Sequence, residues 1–249
     1  MNKFTYIVMF YFGERIASKR LPRYTETLSQ NKFYFAEKQI EFLKSISNQD
    51  LVKVIFVVNQ RPEDDINEIQ SFFDSRTKEI PAKVSLLFRE NKNISYGAWS
   101  DAICNDIETN DVESNYYFCL EDDYIPTSSD FVYPFMNKCN ETTPYVCCKA
   151  VTDVEYPYPS ISNGLFLKDA CKKVYEKYNF ILSLTNSSEY SYSDACHNQY
   201  ICYRAFLELG YNITDIENEY FFPFFESDSG RIKEFGNKNS RTLIEPILI

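Results

Sequence analysis

Histidine and tryptophan each occur once in the 249-residue chain, and glycine only six times. With His197 as the sole histidine, a Ser-His-Asp triad or a His-rich zinc site has little material to work with. Neither GxxxxGKS/T nor GxGxxG occurs, so the P-loop and dinucleotide fingerprints are absent. No uninterrupted apolar run approaches the ~18–20 residues of a membrane span, so no transmembrane segment is expected. The opening FTYIVMFYF has the look of a short signal core. It lacks a small-residue cleavage site and runs at once into charged GER, so it reads as a first core strand. Basic residues are short as well. There are 26 Lys and Arg against 36 Asp and Glu, a net charge of −10, which argues against a nucleic-acid binder. None of the eight cysteines forms a CxxC pair, and several sit in apolar runs such as FCL, VCC and ICY. Reduced core thiols of a cytoplasmic protein fit this better than a disulfide framework. Sequons at Asn93, Asn140, Asn186 and Asn212 are expected by chance in a chain this rich in Asn and Ser.

What is present is an ordinary apolar share, 44% hydrophobic, with a high aromatic content of 17%. Apolar, β-branched or aromatic runs at Tyr6–Phe12, Val52–Asn59, Val84–Arg89 and Tyr116–Glu121 read as buried strands. Helical spacing lies between them, in 32–47, 64–76 and 98–107. Strand–helix repetition of this kind predicts parallel strands joined by crossover helices, an α/β Rossmann-like sheet. Beyond it the pattern predicts a helix over 129–139, a strand over 145–151, a YPYP loop and a short strand over 162–167. Helices over 168–178 and 194–209 follow, the second with a Cys196, Tyr200, Tyr203, Leu207 stripe and Gly210 as its stop. No repeat or linker interrupts the chain. It is read as one domain over 1–249, with a nucleotide-binding half (1–124) and an acceptor-binding half (125–249).

The stretch YYFCLEDDYIP, residues 116–126, drives an apolar strand into Glu121, Asp122 and Asp123 with no basic residue among them. Adjacent carboxylates repel and lose hydration when buried, so a cation is the simplest missing partner. Ligands of open parallel sheets bind beyond the carboxyl ends of the strands, where this triplet falls. The bland alternative is a solvated acidic turn.

LEDDYIPTSSDFVYPF resembles the EDD form of the DxD motif in glycosyltransferases of the GT-A fold, of the N-acetylglucosaminyltransferase-like and family 2-like kinds. ENKNISYGAWSDAI is similar to their donor-lining segment, and SISNGLFLKDACKKV to the segment before their acceptor-side helix. The resemblance implies a GT-A fold and transfer of a sugar from a nucleotide-diphosphate donor, a UDP-sugar, to a glycan or other hydroxyl acceptor, with Mn²⁺ or Mg²⁺ as cofactor. It implies Asp123 as the direct metal ligand, with Glu121 and Asp122 on ribose or metal-bound water. It also places Asn59 at the base, Arg89 and Asn93 near the donor, and Gly97 at a close helix contact. The chain departs from the family pattern in having Asn rather than Asp at Asn59 and Ser rather than Gly at Ser95. Of the basic loop FGERIASKRLPR, Arg15 is the candidate for donor phosphate, ahead of Lys19, Arg20 and Arg23. For an inverting transfer the candidate base is Asp194 in EYSYSDACHNQY, with a helix cap as its other reading. His197, one turn on, is a possible acid, base or ligand. Glu226, Asp228 and Arg231 belong either to a donor lid or to a structureless tail. The rival functions are a non-catalytic GT-A-like glycan- or protein-binding domain and a nucleotidylyltransferase.

Overall fold

In the computed structural model, residues 2–13, 22–184, 198, 201–216, 224–226, 232–234 and 243–246 are described. Strand β1 (Phe4–Phe10) is buried along its whole length, because its two faces serve two different cores. Tyr6, Val8 and Phe10 enter one apolar cluster, and Ile7 and Met9 enter the other. That is the side-chain alternation of a strand covered on both faces.

Helices α1 (Pro22–Gln30) and α2 (Tyr34–Ser45) lead from β1 to β2 (Leu51–Gln60). Helix α3 (Ile66–Arg76), capped by the Asp65 side chain on the N–H groups of Asn67 and Glu68, leads to β3 (Lys83–Glu90). Ala36, Ile40 and Leu43 of α2 pack in the first cluster with Ile69 and Phe73 of α3. Helix α4 (Ile94–Thr109) crosses to the other face, where Tyr96, Ala98 and Trp99 join the second cluster, and returns to β4 (Tyr116–Glu121). β1 pairs in parallel with both β2 and β4, and β2 with β3, so this half runs β3-β2-β1-β4. The change of helix face puts the switch point of the sheet between β1 and β4.

Short β5 (Tyr124–Pro126) and helix α5 (Tyr133–Lys138) precede β6 (Tyr145–Val151) and β7 (Tyr158–Leu167). Helix α6 (Lys168–Tyr178), helix α7 (Arg204–Glu208) and β8 (Ile213–Asp215) follow. β7 is antiparallel to β4 and β6, while β6 is parallel to β8, which completes a seven-stranded, mostly parallel sheet. This is the expected α/β, Rossmann-like class. Strands β9 (Phe224–Glu226) and β10 (Ile232–Glu234) form a separate pair, and β11 (Ile244–Pro246) pairs with β5. Among the described residues no helix is long and apolar enough to cross a membrane, and no disulfide joins the described cysteines.

Three expectations need correction. The helix expected over 98–107 begins at Ile94. A Cβ at Gly97 would stand 2.3 Å from the Lys92 carbonyl and 2.8 Å from Arg89 Nη2, so the glycine serves a close approach inside the first turn. The YPYP segment is partly strand, since Tyr158 and Pro159 pair with Val151 and Ala150. The helix expected over 194–209 is interrupted at Cys202–Tyr203. The Cys202 carbonyl accepts from Ser183 N (2.7 Å), and Phe206 N bonds Tyr203 O instead (3.0 Å). Gly210, at φ +80°, is the left-handed stop that the pattern predicts. The tail is not structureless throughout, since Leu243 and Ile244 are buried and β11 is paired.

Candidate functional site

The register that opposes Met9 to Glu121 brings the ends of β1 and β4 together at the switch point. The chain turns there through Asp122 and Asp123 into β5. Each of the three carboxylates has a different surrounding. Glu121 Oε1 accepts from Ser95 Oγ at 2.8 Å, and its backbone N–H donates to Asn163 Oδ1 at 2.7 Å. Asp122 is 1% exposed, with the Tyr11 N–H 3.4 Å from its Oδ2. Asp123 is half-buried on the turn itself.

The turn is held from below by a residue that the sequence reading passed over. Gln39 of α2 is fully buried, and its Nε2 donates to the carbonyls of Asp122 (3.0 Å) and Tyr124 (2.7 Å). Its Oε1 accepts from Tyr6 OH at 2.7 Å. One end of the amide thus fixes the backbone of the acidic turn, and the other ties it to Tyr6 of β1. The signal was there, because Gln39 sits on the same stripe as Phe35, Ala36 and Leu43. A polar side chain on a buried stripe requires a partner. Gln39→Leu should leave these carbonyls and the tyrosine hydroxyl short of partners, at about 1–3 kcal/mol for the unmet groups. A lowered melting temperature, with weakened binding at the turn in whatever protein remains folded, is the expected result.

The opposite wall is the start of α4. Asn93 (φ 57°) and Ile94 (φ 49°) are both left-handed, and for β-branched Ile94 that is a strained conformation. Asn59, fully buried at the end of β2, donates to Ile94 O at 3.1 Å and accepts from Arg89 Nη1 at 2.7 Å. Arg89 Nε bonds Asp101 Oδ2 at 2.6 Å. Asn59 and Arg89 therefore brace the α4 entrance with their polar atoms turned on each other. Trp99 Nε1 donates to Leu120 O (3.1 Å), which fixes β4 one residue before the triplet.

The structure thus gathers Glu121, Asp122, Asp123, Asn59, Arg89 and Asn93 at one edge of the sheet. Ser95, a departure from the family pattern, supplies the hydrogen bond to Glu121. Asn163 and Gln39 are the residues that sequence reasoning missed. Arg15, Asp194 and His197 lie outside the described residues, as do Lys19, Arg20, Asp228 and Arg231; Arg23 falls in α1 and Glu226 in β9. Thiol chemistry has no candidate among the described residues. Burial pushes the thiols of Cys119, Cys147, Cys148, Cys171 and Cys202 up, that of Cys104 to about 11 and that of Cys139 to about 12, the opposite of an activated thiolate.

No protein-family model and no curated protein matches the sequence. Among solved structures, the backbone is similar to a 4-diphosphocytidyl-2C-methyl-D-erythritol synthase, at 10% identity over 87% of this chain and 88% of that one, TM-score 0.48. It is similar to a cytidylyltransferase from Leptospira borgpetersenii serovar Hardjo-bovis, at 12% identity over 88% and 77% of the two chains, TM-score 0.47. A third similar structure is S. aureus TarS, at 12% identity over 99% of this chain and 37% of that one, TM-score 0.46. The function of this chain is therefore inferred from its own residues.

Proposed function

We propose that the chain is a metal-dependent glycosyltransferase that moves a sugar from a nucleotide-diphosphate donor, a UDP-sugar, to a hydroxyl acceptor with inversion. The observation that carries this reading is the Glu121–Asp122–Asp123 turn at the carboxyl end of β4, at the switch point beside β1. Open α/β sheets bind ligands at that place.

The residues suit a hard divalent cation. Among the described residues no three His, Cys, Asp or Glu side chains converge as a ready-made cage. Mg²⁺ and Mn²⁺ in phosphate-transfer sites are typically held by one or two carboxylates, with substrate phosphate and water filling the rest. Asp123, half-buried on the turn, is the ligand in this reading. The cation would neutralise the charge that develops on the departing diphosphate. Glu121, oriented by Ser95 and Asn163, faces the ribose or the metal's water. Asn59 and Arg89 hold the α4 entrance, where Asn93 meets the donor, and Arg15 offers charge to its phosphates.

The acceptor hydroxyl must lose its proton as the new bond forms, a task for a carboxylate; Asp194 is assigned to it. Asp194→Asn keeps size and capping ability, so turnover should fall by at least about a hundredfold with donor affinity unchanged. Near-normal turnover would reduce Asp194 to a helix cap. A thermal-shift screen of nucleotide sugars with and without Mn²⁺ tests the function as a whole, because ligands of the native state raise its melting temperature. Stabilisation by a UDP-sugar only with Mn²⁺, followed by slow donor hydrolysis, is expected. No shift with any nucleotide sugar would leave the non-catalytic reading, and pyrophosphate release from a nucleoside triphosphate would make it a nucleotidylyltransferase.

A further inference from the structure

A concavity of about 580 Å³ opens between the β6–β7 hairpin and the segment that leads into α7. Val154, Tyr156 and Tyr158 line it from the hairpin; Ile201, Arg204 and Leu207 line it from the helical side. Its size falls within the ~300–1,000 Å³ of cavities that bury small molecules.

Its position follows from strand direction. β6 runs the same way as β4, since both are antiparallel to β7, so the β6–β7 hairpin stands at the edge where Glu121 ends. Ser162 lies level with the triplet, next to the Asn163 that holds Glu121 N. Tyr158 is therefore ~13 Å further out at strand rise. The helical side is tied to the same site. Asn198, whose carbonyl accepts from Cys202 N at 2.8 Å, reaches Asn93 Oδ1 with its Nδ2 at 3.5 Å. The concavity is thus an annex of the acidic turn.

Its lining chooses among ligands. Arg204 is the one cation lining it among the described residues; it is ion-paired to Glu208 at 3.0 Å, and Glu155 lines the same space. Among the described lining residues a nucleotide diphosphate would meet no net positive charge. The other described lining residues are aliphatic or tyrosine. Tyr156 is 62% exposed and Val154 43% exposed, and exposed apolar groups that rim a concavity mark binding surfaces. A flat apolar face beside a few hydrogen-bonding groups, with little net charge, suits a pyranose, whose C–H face packs on an aromatic ring while its hydroxyls meet polar edges.

We infer that this annex binds a neutral saccharide, the acceptor of the proposed transfer, with Tyr156 as its stacking platform. The inference rests on the glycosyltransferase reading for the word acceptor, but not for the binding itself. Saturation-transfer NMR with lactose, maltose and N,N′-diacetylchitobiose, and with 1-naphthol as an apolar control, provides the test. At least one disaccharide should show transfer to ring C–H protons. Tyr156→Ala should weaken it about tenfold or more, as truncation of a central aromatic contact does, while Tyr156→Phe keeps it. Tyr156 is mostly exposed, so the melting temperature serves as the folding control and should not move. The inference is overturned if no disaccharide shows transfer, if only 1-naphthol does, or if Tyr156→Ala binds like the parent. Titration of UDP with Mn²⁺ into the parent protein separates the two readings. Saccharide binding without UDP binding sinks the donor assignment and leaves the annex, and the reverse sinks the annex alone.

Discussion

Asp123→Ala is expected to remove Mn²⁺-dependent UDP binding from a protein that melts at or slightly above the parent's temperature. The two halves of this result have different causes. Asp123 is the carboxylate that the family resemblance assigns to the cation, beside Glu121, which accepts from Ser95, and the buried Asp122. Losing it takes away a ligand that Mg²⁺ or Mn²⁺ would need, because such sites rely on only one or two carboxylates. Without metal, three adjacent carboxylates repel, and deleting one relieves the turn. Gln39 still holds the carbonyls of Asp122 and Tyr124, so the backbone has no reason to collapse. Calorimetric titration of UDP with and without Mn²⁺, beside a thermal melt, measures both halves. Unchanged affinity in the variant would end the metal assignment, and a large drop in melting temperature would show Asp123 to be structural.

The second large effect lies at the other end of the sheet. Asp106 of α4 is fully buried and accepts from Lys53 (2.6 Å), Lys168 (2.9 Å) and Tyr117 OH (2.9 Å). Both lysines are almost completely buried. Asp106→Ala takes the buried Lys168 ammonium from its carboxylate partner and leaves the buried Lys53 with Asp111 alone, a loss on the order of 3–5 kcal/mol. That is a large share of the ~5–15 kcal/mol that a domain typically has. Burial pushes the Asp106 carboxyl up, but the hydrogen bonds from Lys53 and Lys168 outweigh it and hold it below the ordinary value. Its contribution is therefore present above the unfolded-state value of ~3.9 and is lost as pH falls through the lower folded-state value. Burial pushes Lys53 down, and its bonds to Asp106 and Asp111 more than reverse that. Its share is full below ~10.4 and is lost as pH rises through the raised folded value. Urea melts across pH should show a plateau between these limits for the parent. In Asp106→Ala the plateau should drop, and the acid-side fall that Asp106 contributes should disappear. A variant as stable as the parent would refute the account.

The half of the fold that builds the site was readable because its signals are local. β4 and its acidic end stand out by the abrupt change from FCL to EDD, and the crossovers by the change from period two to helical spacing. The residues that position the site were harder to see, since each acts across a long gap in sequence. Gln39 meets Asp122 from 83 positions away, and Asn163 meets Glu121 from 42. Ser95 read as a defect when compared with the family pattern, yet its hydroxyl is what orients Glu121. Lys53, inside the run LVKVIFVV, could have been flagged as a buried charge in need of a partner. The partner, Asp106, is fixed only by packing α4 across the sheet. Pairing of β11 with β5 has no local sign at all, as each strand has three residues.

The place of β4 between β1 and β7 also governs when the acidic turn can exist as the chain folds. Thr5 and Ser114, hydrogen-bonded beside the β1–β4 ladder, are 109 positions apart, and β7 follows β4 only after the whole β5–β6 excursion. Pairing across such loops must overcome chain-closure entropy before any contact rewards it, which makes high-contact-order sheets slow to assemble. Until β4 docks, β1 presents an apolar, unpaired parallel edge, the kind of surface on which partly folded chains associate. The central strand that carries the triplet is thus the late-closing seam of the molecule, and refolding yield should depend more steeply on protein concentration than on the intrinsic strength of any single helix.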